Sequence, residues 1–204
     1  KNINLFYHGN KVHLLSSKST MIRAINVLEQ KYSIHLHACY NVKDLGKLNL
    51  KVKNITFHQW HDGIYEELGS YMDIGLCPAF IPLRFNNLTH IINYKKNLLT
   101  VNDDYIHRFK LPSNPGRIIS LIMMGLPVIA DMYPSACQIL EHGEQGNGFL
   151  VSSVGGWINA ISKYIENPLL RKEHSIKLIE LFKKKYSFAN QNTKLYKFLK
   201  NHCN

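Results

Sequence analysis

Four residues whose types suit anion chemistry fall in one short stretch, Lys110-Leu-Pro-Ser113-Asn114-Pro-Gly-Arg117, which runs directly into an apolar helix pattern. A loop of this composition delivers a lysine, an arginine and backbone N–H groups to a helix N-terminus. That combination stabilises a diphosphate through a point charge from lysine, a planar fork from arginine and the positive end of the helix dipole. Ser113, Asn114 and, one turn into the helix, Ser120 add hydroxyl and carboxamide groups on the same approach. The alternative is a surface loop whose charges are incidental, since many helix N-termini bind nothing.

Three other positions could share that ligand. Gly9 stands in the turn after the first apolar run, where the missing side chain would let a ligand approach the backbone closely. It could equally be an ordinary turn glycine. Lys11 or Lys18 could reach the same place. Trp60 follows the third strand pattern and presents an aromatic face for base stacking, or packs half-buried against the fold. The eleven histidines raise the question of a metal, with His35 and His37 on one strand face and His58 near His61. No carboxylate or cysteine completes either set, so no metal site is expected. Phosphate-loop and Gly-x-Gly-x-x-Gly dinucleotide motifs are both missing from the sequence.

The elements that must position these residues alternate along the chain. Apolar runs at 3–7, 34–39, 55–57, 73–78, 126–130 and 148–151 have strand length. Between them lie helical patterns at 21–28, 63–71, 117–124, 157–165 and from Pro168, with a last helix at about 190–202. Ser16-Ser17 and the Ser135-x-x-Gln138 pair read as helix caps, and Gly143 as a helix stop. The connection 79–113 is long for a strand-to-helix loop. It holds a basic, aromatic stretch at 83–87 that suits a flap, and a short helix pattern at 98–109. Strand alternating with helix predicts an α/β fold: a doubly wound, Rossmann-like parallel sheet, with ligands at the carboxyl ends of the strands.

At 204 residues, 45% hydrophobic and 19% charged, the chain suits a single globular domain over 1–204. It opens at Lys1, almost directly in a strand, as an excised domain would. No run approaches the ~18–20 apolar residues that span a bilayer. The cysteines, 39, 77, 137 and 203, are widely spaced, which suits reduced thiols and a cytoplasmic location. The formal charge of +11 favours anionic partners. Lys183 to Lys185 with Lys194, Lys197 and Lys200 could touch an anionic membrane surface, or form a solvated helix face.

The segment from Lys110 to Arg171 resembles the donor-binding region of GT-B glycosyltransferases, in particular the glycogen-synthase-like group that builds bacterial surface polysaccharides. The matching pieces are Gly125-Leu-Pro-Val-Ile-Ala130, Pro134-Ser135, Gly143-Glu-Gln-Gly-Asn-Gly148-Phe-Leu-Val151, the helix with Trp157, and Asn167-Pro-Leu-Leu-Arg171. Asp73 to Pro78 looks like the adjacent strand-then-proline element. Many members carry paired glutamates where this chain has Pro112 and Ser120; Lys110, Asn114 and Arg117 look like a variant without them. The resemblance implies a C-terminal GT-B domain whose donor is a nucleoside-diphosphate sugar, with no cofactor and no protein-bound metal. Lys110 and Arg117 would meet the diphosphate. Ser113, Asn114 and Ser120 would face phosphate or sugar, Gly9 would lie close to the donor, and Trp60 near the base.

It further implies a glycan or lipid-linked acceptor and an N-terminal acceptor domain outside this chain, met by Leu195, Phe198 and Leu199. Alone, the domain would bind donor weakly and turn over nothing. Rival readings are a nucleotide-sugar-binding domain without catalysis, a nucleotide-sugar epimerase of the same architecture, and a nucleic-acid-binding Rossmann domain driven by charge. Nucleic acid is the least expected partner.

Overall fold

A computed structural model describes residues 2–79 and 115–202, with side chains through 200. Lys110, Ser113, Asn114, the 83–87 stretch and the helix pattern at 98–109 therefore lie outside the described residues. Among the described residues six strands, β1 (Ile3–His8), β2 (Ile34–Tyr40), β3 (Ile55–Gln59), β4 (Ile74–Cys77), β5 (Val128–Asp131) and β6 (Phe149–Val151), make one sheet. Its order is β3-β2-β1-β4-β5-β6, and every neighbouring pair is parallel. Leu5 sits opposite Leu36 on one side and Ile74 on the other. The order reverses between β1 and β4, and this opens a crevice at the carboxyl ends of those strands.

Side chains alternate across the sheet and meet helices on both sides, which is why the strands read as continuous apolar runs. Leu5, Tyr7, Leu36, Ala38, Leu76, Ile129 and Phe149 pack with α2 (Met21–Leu28) and α7 (Val154–Glu166). On the other face Phe6, Cys39, Cys77, Val128 and Ala130 pack with α4 (Ile64–Gly69), α5 (Gly116–Met123) and Leu178 of α8 (Pro168–Lys185). Leu121 comes so close to β4 that a Cβ on Gly75 would stand 3.0 Å from its Cδ2, so glycine there lets helix and strand touch.

Two expected caps are corrected. The first helix is α1 (Lys11–Ser16), capped by Asn10, whose side chain accepts from the Val12 N–H. Ser16 and Ser17 instead donate back to the His13 and Leu14 carbonyls, and a short 3-10 turn (Ser17–Ser19) leads into α2. The Ser135-x-x-Gln138 pair forms no capping box: α6 (Pro134–Cys137) begins after Tyr133 without a side-chain cap, and Gln138 closes it. A four-residue helix, α3 (Val42–Leu45), follows β2. At α8 the expectation holds, with Pro168 in the first turn and the Asn167 side chain accepting from the Leu170 N–H. Its last turn carries Lys183, Lys184 and Lys185, where cations oppose the negative end of the helix dipole. The chain then forms α9 (Phe188–His202). Among the described residues no helix is long and apolar enough to cross a membrane.

Candidate functional site

The carboxyl ends of β1, β2 and β3 enclose a cleft of about 260 Å³ lined by His8, Gly9, Tyr40, Asn41, Trp60 and Tyr65. Each residue is delivered by backbone pairing or packing. The Gly9 N–H donates to the Cys39 carbonyl and the Trp60 N–H to the Tyr40 carbonyl, so the turns after β1 and β3 both hang on β2. Trp60 is 48% exposed, leaving an indole face on the wall of the cleft rather than in the core. The second tryptophan, Trp157, is fully buried.

Arg117 enters from the first turn of α5. Its Nη1 donates to the Pro78 carbonyl at 2.8 Å, just past β4, and its stem lies across Gly9. Burial works against the guanidinium's charge. Cys77, Tyr7, Tyr133 and Asp131 around it outweigh that and raise its pKa. Gly9 adopts φ +137°, a conformation side chains rarely take, and a Cβ there would stand 2.8 Å from Arg117 Cδ. Gly9 and Arg117 are thus brought together from positions more than a hundred residues apart in the sequence. Ser120 lies one turn further along α5 and donates its hydroxyl to the Gly116 carbonyl at 3.1 Å.

His8 holds this corner. It is 5% exposed. Its Nε2 is 2.9 Å from the Arg117 carbonyl, which can only accept, so the proton sits on Nε2. Nδ1 then accepts from the Tyr65 hydroxyl at 3.0 Å. Burial lowers the His8 pKa to about 4, while the bond to the Arg117 carbonyl pulls the other way. The ring is therefore neutral, with one tautomer locked between α4 and α5. Nothing in the sequence assigns His8 a role beyond its place beside Gly9 at a strand's carboxyl end.

Asp131 closes β5 and is also buried. Its carboxylate accepts from the Ala79 N–H at 2.7 Å and from Trp157 Nε1 at 3.1 Å, tying the exit of β4 to α7. The Cys77 thiol and Tyr133 hydroxyl stand 3.3 Å apart beside it. Among the described residues Cys39 and Cys77 are buried free thiols, and Cys137 is an exposed one. Lys11 turns to the Leu45 carbonyl, and Lys18 lines a separate groove beside α2.

His35 and His37 share a face as expected, with ring centroids 4.2 Å apart, but His58 joins them and not His61. His37 pairs with His58 across β2 and β3, Nδ1 to Nε2 at 3.0 Å, and His35 bonds Thr56 at 2.8 Å. His61 stays exposed beside Glu67. Burial and the neighbouring His35 and His58 lower the His37 pKa to about 4. Among the described residues no group of three or more His, Cys, Asp or Glu side chains is arranged to hold a metal.

No family model matches this chain, and no curated protein matches it. Solved structures do. HepE of Anabaena, in complex with UDP-glucose, superposes with a TM-score of 0.64 at 15% identity, over 98% of this chain and 49% of its own. The C-terminal domain of a group 1 family glycosyl transferase, LpcC of Francisella tularensis, gives 0.56 at 16% identity, over 92% of this chain and 86% of its own. The fold is that of a GT-B C-terminal domain. TarM of S. aureus, in complex with fondaparinux, alpha-GlcNAc-glycerol and UDP, gives 0.60 at 13% identity. This chain spans 34% of TarM and 49% of HepE.

Proposed function

We propose that this chain is the donor-binding half of a glycosyltransferase that takes a nucleoside-diphosphate sugar. The observation that carries the reading is the meeting of Gly9, His8 and Arg117 at the point where the strand order reverses, beside a cleft walled by Trp60. A diphosphate lying against the first turn of α5 would meet the guanidinium of Arg117 and the hydroxyl of Ser120, and Lys110, Ser113 and Asn114, which precede that turn in the sequence, are its other proposed partners. Its base would extend toward Trp60. Fixed positive charge there stabilises the departing nucleoside diphosphate as the bond from the sugar's anomeric carbon to the phosphate oxygen breaks and the acceptor hydroxyl takes its place, a role that needs no metal or cofactor.

The acceptor, a glycan or lipid-linked sugar, and the remaining catalytic groups belong on a facing N-terminal domain, and this domain alone turns over nothing. Helix α9 suits a contact with such a domain. Phe188, Leu195 and Leu199 share one side of it and are exposed, whereas Lys194, Lys197 and Lys200 point the opposite way. With the apolar side covered by protein, those lysines face outward, where a cytoplasmic enzyme working on lipid-linked sugars would meet an anionic membrane surface.

Calorimetric titration with UDP, GDP and a DNA duplex tests the reading, with Lys110→Ala and Arg117→Ala alongside. One nucleoside diphosphate should bind, and each substitution should weaken it by about tenfold or more, the loss of a charged hydrogen bond. Circular dichroism separates weakened binding from unfolding in Arg117→Ala, whose side chain also packs. Binding of the duplex alone, abolished by salt, overturns the proposal in favour of a nucleic-acid-binding domain.

A further inference from the structure

The structure assigns a second ligand site, for a sugar bearing a phosphate or carboxylate, to a groove on the outer side of α2. It goes beyond the donor site and does not depend on it. The groove has a volume of about 330 Å³, room for roughly ten water molecules. It is lined by Lys18, Ile22, Asn26, Asn49 and Lys51. Lys18, Ile22 and Asn26 recur every fourth residue, so they form one line along the turn and helix. Asn49 and Lys51 face them from the segment that crosses toward β3.

Three features mark the groove as a site and not a crease in the surface. Lys18 and Lys51 are both exposed, and neither has an acidic partner among the described residues to compete with an anionic ligand. The Asn26 carboxamide oxygen is buried and has no hydrogen-bond partner among the described residues. Such atoms are almost always paired in folded proteins, so this side chain keeps hydrogen-bonding capacity that the fold does not use. Ile22 supplies an apolar floor, 3% exposed, against which a sugar ring can rest. Two cations set across from one another suit a single anionic group, and the two carboxamides suit ring hydroxyls. An uncharged sugar satisfies only the second pair, and inorganic phosphate only the first.

Glucose 6-phosphate, glucuronate, glucose and inorganic phosphate, each titrated into the ¹⁵N-labelled chain and followed by NMR, test the assignment. Glucose 6-phosphate or glucuronate should shift the Asn26 and Asn49 side-chain amides. The Lys18→Ala, Lys51→Ala double variant, changed only at exposed positions, should weaken that binding at least tenfold. Asn26→Leu should weaken it as well, and UDP binding should be unchanged in the double variant. The assignment fails if no anionic sugar moves those amides, or if the double variant binds as wild type does. It also fails if inorganic phosphate binds as tightly as the sugar phosphate, which would leave only a charge-driven anion contact. A wild-type chain that shows these shifts but binds no nucleoside diphosphate would sink the donor-site reading and leave this one standing.

Discussion

Arg117 Cδ occupies the space where a side chain on Gly9 would begin, 2.8 Å from an ideal Cβ. The two residues are therefore one unit: the turn after β1 stays bare so that the arginine can lie across it. Gly9→Ala should displace the guanidinium and strain a backbone held at φ +137°. Urea unfolding should show a loss of roughly 1–3 kcal/mol, with weaker nucleotide binding in calorimetry. Gly63→Ala is the informative comparison, because Gly63 also has positive φ but meets nothing within 4 Å. It should lose stability from backbone strain alone and leave binding unchanged. Equal effects of the two variants on binding would show that the contact between Gly9 and Arg117 does not matter to the ligand.

Trp60 offers a stacking face and little packing to lose. Base–aromatic stacking contributes about 1–3 kcal/mol, so Trp60→Ala should weaken nucleoside diphosphate binding by roughly five- to a hundredfold, at nearly unchanged stability. Trp60→Phe should keep most of the affinity. Trp157 is buried, so ligand quenching of tryptophan fluorescence should vanish in either Trp60 variant. Persistent quenching would move the base elsewhere.

Elements buried on both faces were legible, because a run such as Val128–Asp131 has one structural meaning wherever it occurs between helical patterns. The candidate site was legible only where local composition carried it: Gly9 in a turn, Arg117 at a helix start. His8 was silent because its partners Tyr65 and Arg117 lie 57 and 109 residues away, and nothing local distinguishes a tautomer-locked ring from a packing one. Helix α1 was missed because only Leu14 in it is buried, so it shows no apolar period. The Ser135-x-x-Gln138 cap failed for a related reason. The motif needs a helix long enough to hold Gln138 in its first turn, and α6 ends before it.

Acid should destabilise the fold through its buried imidazoles. His8 and His37 both have folded pKa values lowered to about 4 from the ordinary 6.5. The unfolded chain therefore binds protons that the folded one refuses. Their contribution is complete above about pH 6.5 and is lost as pH falls toward 4. His8 accounts for a loss on the order of 2–3 kcal/mol at most. His37, only partly buried, contributes less because solvent screens it. Urea midpoints at pH 7.5, 6, 5 and 4 check this, with His8→Gln as the variant that cannot take up the proton. A wild-type midpoint flat down to pH 4, or a slope unchanged in His8→Gln, would rule out the assignment to His8.

Asp131 binds two elements at once, since its two oxygens accept from the Ala79 N–H and from Trp157 Nε1. An asparagine is close to isosteric but has one acceptor where the carboxylate has two. Asp131→Asn therefore turns an N–H donor toward one of those N–H groups and leaves it buried without a partner. Leaving a buried donor unsatisfied costs about 1–3 kcal/mol, and Asp131→Asn should lose at least that much. Asp131→Ala should lose more, because both donors are abandoned and a cavity opens beside α7. Paired variants locate the effect: Trp157→Phe removes one donor, so Asp131→Asn should be less damaging in that background. If the two changes are simply additive, the indole–carboxylate bond contributes nothing to the fold, and the Ala79 N–H together with the nearby charge of Arg117 explains why an acid is buried at the end of β5.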